Sequence, residues 1–193
     1  MDIKRFFDNI AHKWDEISKH DELKLRKIIE LSNVIPNSNI LDVGSGTGIL
    51  IKYLLETNPN KITAIDISEK MIEKAKEKYN DIRINFIAKD IFEFSEDRYD
   101  YVFLYSVYPH IEDKDKLFKH ILSLLNPGGK IIIAHSESKE KINQIHKTID
   151  SFKHHLLPPV EETEKLMQKY FNICIKIDDD NMYYISGQKP AKE

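Results

Sequence analysis

Short apolar runs alternate with amphipathic segments through the middle of the chain. Apolar residues are consecutive in the runs and recur every three to four residues in the segments between them, which favours strands and helices respectively. The predicted strands cover residues 39–43, 61–66, 82–88, 99–104 and 130–134, and the predicted helices cover 49–57, 69–79, 113–125 and 138–156. This alternation predicts an α/β fold in which helices cover both faces of a mostly parallel sheet.

The two ends of the chain depart from this alternation. Residues 1–35 have helical spacing, and Pro36 follows them. At the other end, a predicted helix at 161–169 precedes two β-type runs, 170–177 and 182–187, which the polar residues 178–181 separate. Two strands joined by a tight turn are antiparallel. The sequence therefore predicts a doubly wound, mostly parallel sheet of seven strands that ends in an antiparallel hairpin.

The first predicted strand leads into a glycine-rich turn, GSGTG at 44–48, that precedes a helix. Glycines let backbone amides approach a ligand, and the helix N-terminus adds partial positive charge. The next two strands end near carboxylates, Asp66 and Asp90, at the same edge of the sheet. Asp66 is placed to accept hydrogen bonds from ribose hydroxyls and Asp90 from an adenine amino group. The pattern predicts a nucleoside site; the alternative is that both aspartates only cap helices.

The spacing of the glycines argues against other nucleotide-binding patterns. Ile49 stands where the dehydrogenase pattern Gly-x-Gly-x-x-Gly has its third glycine. The chain also lacks the phosphate-binding pattern Gly-x-x-x-x-Gly-Lys-Ser/Thr and the Tyr-x-x-x-Lys pair of short-chain oxidoreductases. A nicotinamide-dependent oxidoreductase is therefore disfavoured.

Five segments together resemble the class I S-adenosylmethionine-dependent methyltransferases. They are ILDVGSGTG at 40–48, AIDIS at 64–68, AKDI at 88–91, YDYVF at 99–103 and LNPGGK at 125–130, in the order of that family. The resemblance implies a Rossmann-like fold, S-adenosylmethionine as cofactor and S-adenosylhomocysteine as product. The cofactor-binding residues that it implies are Asp42, Gly44, Ser45, Gly46, Gly48, Asp66, Ile67, Asp90, Ile91 and Tyr105.

The resemblance also implies a role for these residues. The glycine-rich turn would contact the methionine part of the cofactor, and Asp42 would hold the turn and the cofactor's amino group. Asp66 would bind the ribose, while Ile67 and Ile91 would flank the adenine. Tyr105 would lie beside the methionine moiety.

The sequence indicates the residues that would bind the methyl acceptor less clearly than those that would bind the cofactor. The segment FFDNIAHKWD at 6–15 resembles N-terminal segments that close over the site in small-molecule methyltransferases of this class. Such a lid would exclude water while the sulfonium loses its charge, and plain helix packing is the alternative. Trp14 and Tyr108 are expected to contact the acceptor. His110 is a candidate to orient the acceptor or take its proton, with a structural histidine as the alternative.

Histidines are concentrated between residues 135 and 155. His146 is the second candidate catalytic residue, and we expect His135, Asn143 and His155 to contact the acceptor. One alternative is a metal site formed by His135, His146 and His154 or His155, and the other is an exposed helix with ordinary histidines. Because zinc-type ligand spacing is missing, we predict no resident metal.

Composition narrows the class of partner. The 193 residues include 29 Lys and Arg against 32 Asp and Glu, a net charge of −3, so the excess of positive charge typical of nucleic-acid binders is missing. A single cysteine, Cys174, excludes an internal disulfide and a multi-cysteine site. No apolar run reaches the roughly 20 residues that cross a bilayer. The start of the chain lacks a secretory apolar core, so we expect a cytoplasmic protein.

The sequence therefore predicts a methyltransferase that modifies an O, N, S or C atom of a small molecule. The alternatives are transfer to tRNA or protein, and a nucleoside-binding module without turnover. We expect one domain with a helical lid at 1–35, a cofactor-binding core at 36–135, and acceptor-side helices with the terminal hairpin at 136–193. We expect a monomer or homodimer without a nucleic-acid or membrane partner.

Overall fold

Residues 3–191 are described in the computed structural model, and a seven-stranded sheet lies at its centre. The strands are β1 (Asn39–Val43), β2 (Lys61–Asp66), β3 (Ile84–Ala88), β4 (Tyr99–Tyr105), β5 (Leu125–His135), β6 (Asn172–Asp178) and β7 (Tyr183–Gln188). Their order is β3-β2-β1-β4-β5-β7-β6; β7 runs antiparallel to β5 and β6, and the other neighbouring strands are parallel. The predicted α/β fold with a mostly parallel sheet and an antiparallel C-terminal hairpin is confirmed.

Helices pack on both faces of the sheet. They are α1 (Ile3–Ile10), α2 (Trp14–Ile17), α3 (Glu22–Ser32), α4 (Ile51–Glu56), α5 (Glu69–Lys78), α6 (Lys114–Leu124), α7 (Lys139–Lys147) and α8 (Val160–Met167). Several begin at a side chain that accepts a hydrogen bond from a backbone N–H of the first turn, as Ser68 does for α5 and Asp113 for α6. Such caps satisfy donors that have no partner within the helix.

Each face of the sheet has its own apolar core. On β1, Leu41 and Val43 belong to the cluster that packs under α6 and α8, whereas Ile40 belongs to the cluster under α3 and α4. Successive side chains of a strand point to opposite faces. A strand that is covered on both faces therefore needs apolar residues at consecutive positions, which explains the uninterrupted apolar runs of the sequence.

Two predicted boundaries are wrong. The helix predicted over 138–156 ends at Lys147, and turns occupy most of the remainder. His146 and Asp150 therefore do not share a helix face, as the longer helix would have required. Strand β5 begins at Leu125 rather than at residue 130, so residues 126–129 lie within the strand instead of ending a helix. The Asn126 side chain donates to Asp100, 2.7 Å away, and joins this irregular start of β5 to β4.

The topology places the carboxyl ends of the parallel strands at one edge. The strand order reverses between β1 and β4, because β2 and β3 lie on one side of β1 while β4 and β5 lie on the other. Loops that leave two such neighbouring strands diverge and leave a crevice between them.

Within residues 3–191, no helix combines the length and hydrophobicity needed to span a bilayer.

Strand β5 lies inside the sheet, between β4 and β7. Shortening a buried side chain on β5 should therefore lower the stability of the protein strongly. Ile133 is fully buried, so Ile133→Ala removes buried methyl groups and leaves a cavity between the helices and the sheet. We expect the free energy of unfolding to fall by about 2–5 kcal/mol, measured by urea denaturation. Ile82→Ala is the matched control, since Ile82 is fully exposed and should change stability little. Equal effects of the two substitutions would contradict the assigned burial.

Candidate functional site

A cavity of about 720 Å³ lies at the carboxyl ends of the parallel strands. The strand ends form its floor, and residues of α1, α2 and α7 close over it. Most of the sequence-predicted site residues line it, namely Trp14, Gly44, Ser45, Gly46, Asp66, Ile67, Asp90, Ile91, Tyr105, His110, His135 and His146. A volume of this size is typical of small-molecule sites.

The glycine-rich turn lies against the loop after β4 on one side and opens into the cavity on the other. Gly44 has φ of +65°, and a Cβ there would lie 2.4 Å from Cγ2 of Val107, so a side chain does not fit. Gly46 has φ of +54°, and the nearest atom to a Cβ there would be Nε1 of Trp14, 3.8 Å away. Trp14 therefore lies over the turn. Because glycine has no side chain, a ligand can approach the turn's backbone between the turn and Trp14.

Asp66 joins the turn to the end of β2. One carboxylate oxygen accepts from the backbone N–H of Gly46 and the other from that of Ser68, both at 2.8 Å. Burial raises the pKa of Asp66 more than the two backbone hydrogen bonds lower it, and with a smaller increase from the charge of Asp8 the pKa is about 6. Each oxygen of a carboxylate has two lone pairs, so Asp66 can accept further hydrogen bonds from a ligand in the cavity.

Two buried polar atoms beneath the turn have no hydrogen-bond partner in the protein: Oδ2 of Asp42 and the hydroxyl oxygen of Ser45. Burial, and to a smaller extent the charge of Asp66, raise the pKa of Asp42 to about 8. Buried polar groups without partners are costly. Ser45 lines the cavity and Asp42 lies behind its lining, so the charge of a cationic ligand in the cavity would favour the ionised form of Asp42 without direct contact.

Asp90 and the apolar residues around it form the far wall beside β3. Asp90 accepts from the backbone N–H of Phe92 at 2.8 Å and thereby caps a short 3₁₀ turn, Ile91–Glu93. Asp90 thus makes the capping contact that was the alternative, whereas Ser68 rather than Asp66 caps α5, and both carboxylates also line the cavity. Ile67 and Ile91 line it as well and present apolar surface to a flat ligand.

Three polar contacts fasten the N-terminal segment over the cavity. The Ser68 hydroxyl donates to Asp8 at 2.7 Å, and the Thr47 hydroxyl donates to Asp15. Nδ1 of His20 lies 2.6 Å from the hydroxyl oxygen of Tyr105, whose own proton goes to Ser136. Burial raises the pKa of Tyr105 to about 12, so the residue stays a neutral phenol.

The contacts of Asp8, Asp15 and His20 were not predicted from the sequence, although Asp8 and Asp15 belong to the segment 6–15. Asp8, Asp15 and His20 lie 60, 32 and 85 residues from their partners, so no local spacing could have indicated them. Each partner belongs to or borders a strand end at the cavity. Phe6, Phe7 and Trp14 of the segment 6–15 line the cavity, and the lid remains a prediction.

Three histidines and Phe152 form a cluster at the end of the cavity below β4 and β5. The ring centroids of His110 and His146 are 4.9 Å apart, and that of Phe152 is 4.5 Å from His110. Nδ1 of His110 is 3.1 Å from Nδ1 of His155. Nδ1 of His146 is 2.5 Å from the backbone oxygen of His155. Since a carbonyl only accepts, Nδ1 of His146 carries the proton and Nε2 keeps its lone pair.

His135 is the most isolated polar side chain of this end. It is 1% exposed, and neither ring nitrogen has a hydrogen-bond partner. Burial, and to a smaller extent the neighbouring His146, lower its pKa to about 3. Burial also lowers the pKa of His110 well below its usual value. Burial is the main cause of the lowered pKa of His146 as well. All three imidazoles are therefore neutral at neutral pH.

Five predicted site residues lie outside the cavity lining: Asp42, Gly48, Tyr108, Asn143 and His155. The Tyr108 ring stacks on Phe118 in the core, and the Asn143 amide bonds to both backbone groups of Leu157. A Cβ on Gly48 would lie 3.0 Å from the Tyr79 ring, so this glycine packs against Tyr79, the residue that follows α5. His155 lies behind the lining, where it contacts His110 through its ring and His146 through its backbone oxygen. In the described part of the chain, no three His, Cys, Asp or Glu side chains are arranged to hold a metal ion.

The raised pKa of Asp42 predicts a pH-dependent stability. The folded protein favours the protonated carboxyl, so this group stabilises the fold below its ordinary pKa near 4, and the contribution is lost as pH rises through about 8. Asp42→Asn cannot ionise, so its Tm should exceed that of the parent at pH 8.5 but not at pH 5, by differential scanning fluorimetry. Asp97→Asn is the control, because Asp97 lies on the surface paired with Lys61. The assignment fails if the Tm difference is the same at both pH values.

Comparison with known proteins agrees with this architecture. A profile of the family described as "Methyltransferase domain" matches residues 36–186. Two malonyl-[acyl-carrier protein] O-methyltransferases of Ilyobacter polytropus are similar to the chain: one is 41% identical over 65% of this chain and the other 31% identical over 89%. The chain spans 46% of the first of these relatives and 69% of the second.

Solved structures share the fold. A chain in the complex of the Haloferax volcanii Trm112 methyltransferase activator with its methyltransferase superimposes with a TM-score of 0.84 at 15% identity, over 100% of this chain and 99% of that one. The N-methyltransferase NodS of Bradyrhizobium japonicum, bound to S-adenosylhomocysteine, superimposes with a TM-score of 0.74 at 15% identity, over 97% and 98%. At these identities the likeness concerns the fold. Together with the family profile and the relatives, it shows that the chain belongs to the class I S-adenosylmethionine-dependent methyltransferases.

Proposed function

We propose that the protein transfers the methyl group of S-adenosylmethionine to a small molecule bound at the histidine end of the cavity. The observation that carries the proposal is the continuity of one cavity. At one end lie Asp66, Asp90 and the glycine-rich turn, which suit a nucleoside with a charged amino acid tail. At the other end lie buried imidazoles and aromatic rings, which suit a second, smaller ligand.

The unpartnered atoms beneath the turn fit the methionine part of the cofactor. An ammonium near Asp42 would favour the ionised carboxylate, and the Ser45 hydroxyl could exchange a hydrogen bond with the cofactor carboxylate. Asp66 has lone pairs left for the ribose hydroxyls, and Asp90 has them for the adenine amino group. Tyr105, neutral and held by Ser136, would lie beside the methionine chain.

The protein itself would align the cofactor with the acceptor, exclude water and accept the acceptor's proton. When bound, S-adenosylmethionine supplies a methyl group that its sulfonium already activates for direct displacement. The lid contacts of Asp8, Asp15 and His20 keep the roof closed and exclude water. His146 lines the cavity and its Nε2 keeps a lone pair, so His146 can take the acceptor's proton. His110 packs beside it and orients the acceptor.

The closed roof favours a small acceptor over a macromolecule. Phe6, Phe7 and Phe152 lie over the histidine end, with the centroids of Phe6 and Phe152 4.5 Å apart. A tRNA or protein side chain would have to displace these rings. The names of the Ilyobacter polytropus relatives include an acyl carrier protein, so a carrier-bound acceptor is the second candidate.

Removing the Asp66 carboxylate should weaken cofactor binding. Asp66→Ala loses hydrogen bonds to the ribose and to Gly46, and we expect the affinity for S-adenosylhomocysteine to fall by about 1.5–3 kcal/mol, roughly 10- to 150-fold. Isothermal titration calorimetry measures this directly. Asp97→Asn changes a surface carboxylate and should bind as the parent does. An unchanged dissociation constant for Asp66→Ala would exclude the ribose role.

Labelled cofactor tests the acceptor class. The protein is incubated with methyl-tritiated S-adenosylmethionine and separated cell fractions of small molecules, RNA and protein. We expect label to enter the small-molecule fraction, and Asp66→Ala to reduce this incorporation at limiting cofactor. Label confined to RNA or protein would replace the proposal with a macromolecular acceptor. Tight cofactor binding without transfer to any fraction would indicate a nucleoside-binding module.

A further inference from the structure

The turn that follows β4 carries His110 into the cavity. Residues Tyr108–His110 form a short 3₁₀ turn, and His110 is the member of it that lines the cavity. The chain enters this turn through Ser106, whose φ of +55° is a left-handed conformation that residues with a side chain disfavour. Inside the turn, the His110 N–H donates to the backbone oxygen of Val107 at 2.9 Å. Contacts from elsewhere in the chain are therefore needed to keep this turn, and with it His110, in place.

Lys114 makes such contacts from the first turn of α6. Its Nζ donates to the backbone oxygens of Tyr108 at 2.6 Å and Pro109 at 3.5 Å, and also to that of Ile111. An ammonium has three N–H donors and no acceptor, so these three oxygens use all of them. Nζ also lies 4.6 Å from the centroid of the Tyr108 ring, within the range of a cation–π contact. Lys114 thus holds the backbone on both sides of His110.

The helix alone does not explain a lysine at this position. The N-terminus of a helix carries partial positive charge, so a cation in the first turn is unfavourable there. Lys114 is half-buried, whereas its neighbours Asp113 and Asp115 are exposed. Burial lowers the pKa of Lys114 more than the charge of Glu112 raises it, and the pKa is about 8. Burying a cation is costly unless polar groups surround it, and here the carbonyl oxygens of the turn do so.

We propose that Lys114 is a positioning residue for methyl transfer, because its ammonium holds the turn that sets the place of His110 against the acceptor. The inference rests on the proposed function and adds to it a residue that touches neither cofactor nor acceptor. Lys114 lies outside the cavity lining, so it acts through the backbone of the turn. Without the ammonium, the three carbonyls lose their donor and the turn relaxes, so His110 no longer keeps one position beside His146.

Chemical replacement of the side chain tests the ammonium directly. Lys114→Cys is made in a Cys174→Ser background, since Cys174 is the single cysteine of the chain and is exposed. The unfolded protein is alkylated with 2-bromoethylamine or with iodoacetamide and then refolded. The first reagent restores an ammonium and the second gives a neutral amide, at the same distance in bonds from Cβ as the lysine nitrogen. Lys119→Cys, treated in the same way, is the matched control, because Lys119 is exposed on the same helix.

The first readout separates methyl transfer from cofactor binding. Transfer is the rate at which label from methyl-tritiated S-adenosylmethionine enters the small-molecule fraction. We expect this rate to fall by roughly tenfold in Lys114→Cys and in its amide form, because a displaced group no longer aligns the acceptor. The ammonium form should recover the rate of Cys174→Ser, and every form of Lys119→Cys should keep it. The dissociation constant of S-adenosylhomocysteine should stay unchanged, since Asp66 holds the glycine-rich turn through Gly46.

The second readout follows His110 without any acceptor. In protein that contains isotope-labelled histidine, the NMR signal of the His110 ring should shift or broaden in Lys114→Cys and in the amide form. It should return to its parent position in the ammonium form. The signal of His12, which is exposed, should be the same in all forms. An unchanged His110 signal in Lys114→Cys would overturn the positioning role.

The remaining outcomes separate this inference from the function on which it rests. Equal recovery by the amide and the ammonium forms would overturn the role of the charge. If the amide form does not fold, Lys114 serves the fold as a whole and the positioning role is overturned. Absence of transfer by Cys174→Ser itself would contradict the proposed function. Transfer by that protein, without loss in Lys114→Cys, would contradict the positioning role alone.

Discussion

The Asp66 carboxylate organises the site, because it joins three parts of the chain that are separate in sequence. Its two oxygens hold the backbone N–H groups of Gly46 and Ser68, and the Ser68 side chain in turn holds Asp8 of the lid. The turn, the start of α5 and the roof therefore depend on one buried charge. The cost of burying that charge is visible in its raised pKa, which backbone hydrogen bonds only partly offset.

The two ends of the cavity differ in their electrostatics. Carboxylates and a helix N-terminus surround the glycine-rich turn, whereas neutral imidazoles and aromatic rings surround the other end. The first environment suits a ligand that carries a cation and many hydroxyl groups. At the second end, burial lowers the pKa of His135 and His110, so these imidazoles are neutral at neutral pH. The two ends of one cavity therefore differ in charge.

Much of the cofactor side could be predicted, because its residues follow strands that are recognisable from local sequence. Asp66 follows a run of buried residues, and parallel strands bring their carboxyl ends to one edge whatever the details of packing. The prediction failed where local sequence was ambiguous. Residues 148–156 have helical composition but form turns, and the Asn143 side chain bonds the backbone of Leu157, which fixes the chain after α7. Tyr108 was expected at the acceptor and lies in the core on Phe118.

By itself the sequence determined the alternation of strands and helices, the antiparallel ending and the carboxylates at successive strand ends, because these depend on periodicity and on neighbouring residues. Only the tertiary structure decided which histidines meet. His110 and His155 are 45 residues apart in the chain, and His20 reaches Tyr105 across 85 residues. Such contacts, and the tautomer that His146 adopts against a distant carbonyl, arise when the elements pack, since burial and partner geometry are properties of the folded chain.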